Sequence, residues 1–305
     1  MESWPKPIGV YAPTITAFNS DESLNESGTR AFVCFLLSSG VHGLAPMGSA
    51  GEFMALTEGE RMRALEWIMD EAGGEVPVYA GVGHYSTRTT IELSRHALKN
   101  GATGLMIIPP YLLRPPKQDV LNHFRRIRDA VPLPIMVYNV PLLAGVELTP
   151  QEIQTLAGEG VIQSVKWSHV EVSKIHDTKL LCGPDFAVFV GIDLVGFEGL
   201  AAGADGYIGG LPMMVPTLAR QLFDTIVSQG DLKKARCLWN KLLPLVQFEY
   251  RALFSDDGQP HWLAVCREAA ALRGILVGRP RSPLQPLSPN LREELQRLLQ
   301  DLGEI

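Results

Sequence analysis

Residues 135–167 read IMVYNVPLLAGVELTPQEIQTLAGEGVIQSVKW. A short apolar run, Ile135–Tyr138, is followed by a turn, by an amphipathic segment that begins near Thr149, and by a second apolar run, Val161–Lys166. Short runs rich in Val and Ile that alternate with helical segments are typical of parallel strands covered by helices. This stretch therefore predicts a strand–helix–strand unit, in which Pro150 suits the first helical position.

The same pattern recurs along the first two thirds of the chain. The candidate strands are Gly9–Ala17, Gly43–Pro46, Val78–Val82, Leu105–Ile108, Ile135–Tyr138, Val161–Lys166, Ala187–Gly191 and Gly206–Ile208. The candidate helices begin near Glu26, Thr57, Thr87, Lys117, Thr149, Val172, Asp193 and Val215. Eight such units favour an α/β fold of the (β/α)8 TIM-barrel type. An open doubly wound sheet would carry a Gly-rich fingerprint after its first strand, where residues 18–21 read FNSD.

The chain changes character from about Asp231, where the strand-like runs stop. Three helices are predicted there, Leu232–Tyr250, Pro260–Leu276 and Leu291–Leu302, with a Pro-rich connector at residues 278–283. We therefore expect two parts: a barrel over residues 1–230, and a small C-terminal helical subdomain over residues 231–305 that packs on the barrel.

Composition narrows the class of protein. The 305 residues are 46% hydrophobic and carry a net charge of −6, which suits a large globular domain and argues against nucleic acid as a partner. The apolar stretches fall short of the roughly 20 residues that a membrane span needs, and the N-terminus does not resemble a secretory signal. The four cysteines are scattered, which predicts no metal site and a reducing, cytoplasmic location.

The sixth strand ends in a lysine. Alternation places Lys166 on one face with Ile162 and Ser164, and we expect that face to point into the barrel, where active sites lie at the carboxyl ends of strands. Among apolar walls an ammonium loses hydration, which favours the neutral amine that attack on a ketone requires. Position alone leaves open a lysine paired with a carboxylate or extended to solvent.

Two further strand ends could contribute to the same site. Tyr138 ends the fifth strand and could transfer protons there, although a core tyrosine with a satisfied hydroxyl is the alternative. After the second strand, residues 48–52 read GSAGE. Gly48 and Gly51 allow a tight turn whose N–H groups could form an anion cradle, with Ser49 adding a hydroxyl, although a plain turn is the alternative.

The order of these features, GSAGE at 48–52, YNVP at 138–141 and lysine at 166, resembles the dihydrodipicolinate synthase / N-acetylneuraminate lyase (DapA-like) family of class I Schiff-base aldolases. The resemblance covers nearly the whole chain. It also includes PTITAF at 13–18, PPY at 109–111, GADG at 203–206 and RPRSPL at 279–284. It implies the barrel fold, no metal or organic cofactor, and a homo-oligomer, either a dimer or a tetramer.

By this resemblance Lys166 would form the Schiff base and Tyr138 would be the acid/base. Ser49 would link to this tyrosine through its hydroxyl, and the N–H groups of Ser49 and Ala50 would bind the carboxylate of a pyruvate-type 2-oxo acid. Further substrate-binding candidates are Gly48, Gly51, Ser168, Asp193, Ile208 and Tyr111. The expected enzyme is a carbon–carbon or carbon–oxygen lyase, with cleavage, condensation and dehydration left open.

Three departures speak against a true dihydrodipicolinate (4-hydroxy-tetrahydrodipicolinate) synthase of lysine biosynthesis, which stays as an alternative. Leu143 stands where the synthase branch carries an arginine for the semialdehyde carboxylate. Tyr111 is followed by Leu112 in place of a second tyrosine. Ser49 and Ala50 replace a pair of threonines.

The substrate is left open among shorter or partly apolar 2-oxo acids. Trp167, Leu112, Leu143 and Leu194 predict a less polar pocket, which favours a 2-keto-3-deoxy sugar acid, a 4-hydroxy-2-oxo acid or an aryl-bearing oxo acid. Two other classes remain: a non-catalytic 2-oxo acid binder, and a barrel that binds a phosphorylated substrate near residues 206–210. The second is disfavoured because residues 207–215 contain no lysine or arginine.

Overall fold

Eight short parallel strands lie at the centre of the computed structural model, which describes residues 4–305. They are β1 Gly9–Pro13, β2 Gly43–Ala45, β3 Tyr79–Gly81, β4 Gly104–Ile107, β5 Ile135–Asn139, β6 Ser164–Trp167, β7 Ala187–Val190 and β8 Gly206–Tyr207. Their order is β2-β1-β8-β7-β6-β5-β4-β3, and a parallel bridge between Leu44 and Val78 joins the two ends of the sheet. The predicted (β/α)8 barrel is confirmed.

Helices follow the strands and then continue beyond the barrel. They are α1 Glu26–Ser38, α2 Glu58–Ala72, α3 Thr87–Lys99, α4 Lys117–Ala130, α5 Pro141–Ala144, α6 Pro150–Gly158, α7 Ser173–Cys182, α8 Gly196–Ala201, α9 Leu211–Met214, α10 Pro216–Phe223, α11 Leu232–Glu249, α12 Trp262–Leu272 and α13 Pro289–Asp301. Thr57 and Thr149 start α2 and α6 with capping boxes. Within residues 4–305, none of these helices is long and apolar enough to cross a membrane.

The register of the sheet decides where Lys166 points. In the ladder Lys166 lies between Tyr138 of β5 and Phe189 of β7. Both neighbours belong to the cluster of side chains that fills the barrel, so Lys166 shares that inner face. The expectation for Ile162 was wrong, because β6 begins only at Ser164 and Ile162 packs in the layer between sheet and helices.

The C-terminal helices pack against the barrel and share the hydrophobic core that surrounds it. Arg267 of α12 forms a buried ion pair with Glu52, which follows β2, and its Nε lies 2.8 Å from the Glu52 carboxylate. The same guanidinium donates to the carbonyl of Thr16, in the segment where the chain leaves the β1 ladder earlier than predicted. The appendage is thus tied to the barrel, and the proposed division at residue 230 stays a prediction.

We predict that Arg267→Leu lowers the free energy of unfolding by about 3–5 kcal/mol, because it leaves the Glu52 charge buried without its partner. Urea denaturation measures this loss. The matched control is Arg292→Leu, which removes an ion pair with Glu268 whose arginine side chain is 50% exposed. It should cost less than about 1 kcal/mol. Equal losses in the two variants would contradict the anchoring role of Arg267.

Candidate active site

A cavity of about 280 Å³ lies where the barrel strands end. Its walls come from the loops that follow β2, β5, β6, β7 and β8, together with the segment between α11 and α12. Of the predicted site residues, the cavity brings together Gly48, Ser49, Ala50, Tyr138, Lys166 and Ser168. Parallel strands direct their carboxyl ends to one rim, and this explains why residues so distant in sequence meet.

Lys166 is buried in the wall of the cavity. It is 6% exposed, and its Nζ lies 4.0 Å from the centre of the Tyr138 ring. Among residues 4–305 its amine forms neither an ion pair nor a hydrogen bond. Gly191 makes room for the lysine stem, since a Cβ there would lie 2.7 Å from Lys166 Cγ and 2.3 Å from Ser168 Oγ. The alternative of a lysine paired with a carboxylate is therefore wrong.

The hydroxyls of Ser49 and Tyr138 lie 3.4 Å apart, and both side chains are buried. Ser49 begins a short 3-10 turn in which the N–H of Gly51 donates to the carbonyl of Gly48. Among the described residues, the N–H groups of Ser49 and Ala50 have no acceptor. Since both residues line the cavity, these two donors are available to bind an anion.

Asp193 does not reach the cavity. Its carboxylate is fully buried and accepts hydrogen bonds from the N–H groups of Gly210 (2.7 Å) and Leu211 (2.9 Å) and from the Tyr250 hydroxyl (3.0 Å). The Tyr207 hydroxyl is a fourth donor. With four donors on two oxygens, this carboxylate holds the loop after β8 and has no capacity left for a substrate hydroxyl.

Three other candidates also lie outside the cavity walls. Gly51 faces the barrel, where its carbonyl accepts from the Thr16 hydroxyl at 2.8 Å. Ile208 is buried in the barrel interior, and the next two residues line the cavity in its place. Tyr111 lines a separate cavity, with its ring centre 5.9 Å from that of Phe53.

The apolar walls come largely from residues other than those predicted. Trp167 follows Lys166 along β6 and therefore faces the helices, where its Nε1 donates to Thr178 of α7. Leu112 is 82% exposed, and Leu194 lies outside the cavity. Of the four predicted residues only Leu143 lines it. The remaining apolar lining includes Met106, Val140, Leu142, Met213, Leu253 and Trp262.

The wall formed by the C-terminal helices was missed by sequence reasoning. Glu249, at the end of α11, is 1% exposed and lines the cavity. Burial raises the pKa of its carboxyl well above the usual range, and the negative charge of Asp193 raises it further. A sequence signal existed, because Leu242, Leu245 and Val246 place Glu249 on the apolar stripe of the helix.

The family follows from comparison with known proteins. The Dihydrodipicolinate synthetase family model matches residues 6–302. A 4-hydroxy-tetrahydrodipicolinate synthase of Methanopyrus kandleri is 35% identical over 297 residues, covering 97% of this chain and 96% of that protein. An uncharacterized DapA-like lyase of Halobacterium salinarum is 34% identical over 295 residues, covering 97% and 94%.

Solved structures indicate the same family. The crystal structure of YagE, a prophage protein belonging to the dihydrodipicolinic acid synthase family from E. coli K12 in complex with pyruvate, superposes with a TM-score of 0.90. The two chains are 32% identical, and the match covers 98% of this chain and 99% of that one. The protein belongs to the dihydrodipicolinate synthetase family, and the prediction of a DapA-like lyase is confirmed.

Proposed function

We propose that Lys166 forms a Schiff base with the ketone carbon of a pyruvate-type 2-oxo acid. The observation that carries this proposal is the enclosed amine, which lies over the Tyr138 ring and has no partner carboxylate among the described residues. Attack on a ketone requires a neutral amine, and no carboxylate among the described residues forms an ion pair with this lysine. The pyruvate complex of the related YagE supports the same class of ligand.

The geometry suggests how the adduct forms. The substrate carboxylate binds the free N–H groups of Ser49 and Ala50, which holds the ketone carbon near Lys166 Nζ. The amine attacks this carbon to give a carbinolamine. Tyr138 then donates a proton to the departing hydroxyl, which leaves as water, while Ser49 exchanges protons with the tyrosine hydroxyl across their 3.4 Å contact.

The resulting iminium is an electron sink for the next step. When the C3–C4 bond breaks, its electron pair moves into the iminium to give an enamine, and the C4 hydroxyl loses its proton as the aldehyde departs. Protonation of C3 and hydrolysis then release pyruvate and the lysine. The reverse sequence is condensation, so one site serves both directions.

We predict that borohydride with pyruvate traps one adduct on Lys166, seen by intact mass and peptide mapping. Lys166→Ala should abolish both the adduct and turnover. Tyr138→Phe should lower turnover at least about 100-fold, the usual contribution of a proton-transferring group, while still allowing an adduct. Lys234→Ala on α11 is the control and should behave as wild type. An adduct on another lysine, or full activity of Tyr138→Phe, would contradict the assignment.

We further propose that the aldehyde that reacts with pyruvate carries no carboxylate of its own. Leu143 lines the cavity where, by the resemblance, the synthase branch carries its arginine. Of the described residues that line the cavity, Lys166 is the one lysine or arginine. A second carboxylate would thus be desolvated without a cation to pair with it.

Leu143→Arg should raise kcat/KM for aspartate semialdehyde about 10-fold or more, because a charge-assisted hydrogen bond contributes about 1.5–3 kcal/mol. Leu142→Arg is the matched control, since Leu142 also lines the cavity but precedes the position of the synthase arginine. Steady-state kinetics with pyruvate measures both variants. If the wild-type protein used aspartate semialdehyde better than uncharged aldehydes, the synthase alternative would be the function.

A homo-oligomer, a dimer or a tetramer, is the third part of the proposal. Leu112 and Leu113 after β4 are 82% and 68% exposed, and Leu142 after β5 is 75% exposed. The two loops touch, because a Cβ on Gly145 would lie 2.9 Å from Arg114 Nε. An exposed apolar patch of this kind favours self-association.

Light scattering should therefore give a mass two or four times the 33.4 kDa of one chain. Leu113→Asp should shift the mass toward one chain, because it places a charge in the patch. Leu180→Asp, at a position on α7 that is 84% exposed, should leave the mass unchanged. A monomeric wild-type protein would contradict the proposal.

The cellular location we propose is the cytoplasm. Cys34, Cys182, Cys237 and Cys266 are all free thiols. Free thiols persist in a reducing compartment, whereas secreted proteins commonly pair them. Fractionation of cells that produce the protein tests this location.

A further inference from the structure

Glu249 is a buried acid that shares a cavity with Lys166. Neither of its carboxyl oxygens has a hydrogen-bond partner among residues 4–305. Its side chain packs on Gly210 after β8, where a Cβ would lie 2.0 Å from Oε1. Leaving a buried polar group unpaired costs about 1–3 kcal/mol, so such a group in a cavity wall points to a missing partner.

Neighbouring side chains do not supply this partner. The hydroxyls of Tyr207 and Tyr250 both donate to Asp193, whose two oxygens already accept four hydrogen bonds. His261 also lines the cavity, but burial lowers the pKa of its imidazole, so it adds no positive charge at neutral pH. Glu249 thus has no partner among the described residues, and a molecule that fills the cavity could supply one.

The protonation state of Glu249 determines which functional group of a ligand can pair with it. Burial and the charge of Asp193 raise the pKa of Glu249 well above the usual range, which favours the neutral carboxylic acid, with one O–H donor and one carbonyl acceptor. A hydroxyl group matches this pair. A ligand carboxylate would lie near the charge of Asp193 without a cation to pair with it. A ligand ammonium would favour the ionised form of Glu249, which would leave Glu249 and Asp193 as two buried negative charges side by side.

We infer that Glu249 is a specificity-determining residue that hydrogen-bonds a hydroxyl group on the aldehyde-derived part of the substrate. The inference rests on the proposed function, in which Lys166, Ser49 and Ala50 hold the pyruvate-derived carbons. The substrate class is then a 2-oxo acid with an uncharged, hydroxylated tail, as in 2-keto-3-deoxy sugar acids. Tails with a second carboxylate or with alkyl carbons alone are selected against.

Two three-carbon aldehydes test this assignment in condensation with pyruvate: D-glyceraldehyde, which has two hydroxyls, and propanal, which has none. The readout is the ratio of their kcat/KM values. Wild type should favour D-glyceraldehyde, because propanal leaves Glu249 unpaired. Glu249→Leu should lower the ratio at least about 10-fold, whereas Glu249→Gln, which keeps a neutral donor and acceptor, should stay within about 3-fold of wild type.

The outcomes separate the two proposals. If Glu249→Leu lowers both kcat/KM values equally or leaves the ratio unchanged, its role is structural and the inference is overturned. If this variant fails to fold, as shown by loss of the borohydride-trapped pyruvate adduct, Gly210→Ala is scored in the same way, because its Cβ displaces the carboxyl group. A wild-type protein that traps no pyruvate overturns the proposed function together with this inference. A trapped adduct with an unchanged ratio overturns this inference alone.

Discussion

An amine held at the end of β6 with no carboxylate partner among the described residues is the constraint on which the site depends. It requires a strand register that turns Lys166 inward between Tyr138 and Phe189, and a glycine at position 191 beside its stem. It also requires a neighbour that offers a π-face rather than a charge, and the Tyr138 ring meets this need. The same alternation sends Trp167 to the helices.

The C-terminal helices contribute to this site in two ways. Through Arg267, α12 fixes Glu52 and with it the turn that presents the N–H groups of Ser49 and Ala50. Through Glu249, α11 contributes to the wall of the cavity that Lys166 also lines. Barrel and helices therefore build one cavity: the barrel contributes Lys166, Tyr138 and Ser49, and the helices contribute Glu249 and Trp262.

Asp193 and Glu249 are neighbouring buried acids that differ in their hydrogen-bond partners. Asp193 accepts four hydrogen bonds from the protein and holds the loop after β8, so its carboxylate has no acceptor site left for a ligand. Glu249 has no partner in the described chain, and burial raises the pKa of its carboxyl well above the usual range. By the resemblance Asp193 was one of the substrate-binding candidates, whereas the sequence analysis did not single out Glu249. The contacts leave Asp193 no free acceptor, and we infer that recognition falls to Glu249.

What the sequence could predict was local or periodic. Strand alternation, the GSAGE turn and the position of Lys166 at a strand end depend on a few adjacent residues, so the barrel and the grouping of Lys166, Tyr138 and Ser49 followed from them. One of the donors that occupy the Asp193 carboxylate is Tyr250, 57 residues away in the sequence, and no local pattern predicts that contact. Glu249 lay on the apolar stripe of its helix, a signal that identifies a buried acid but not the cavity it faces.

Carbon-13 NMR of the protein with pyruvate labelled at C2 tests the central claim most directly, since it follows the reacting carbon without a reductant. The account predicts that the ketone signal of bound pyruvate is replaced by that of an imine or enamine carbon, and that the new signal is absent from Lys166→Ala. Bound pyruvate that keeps its ketone signal in the wild-type protein would contradict the account.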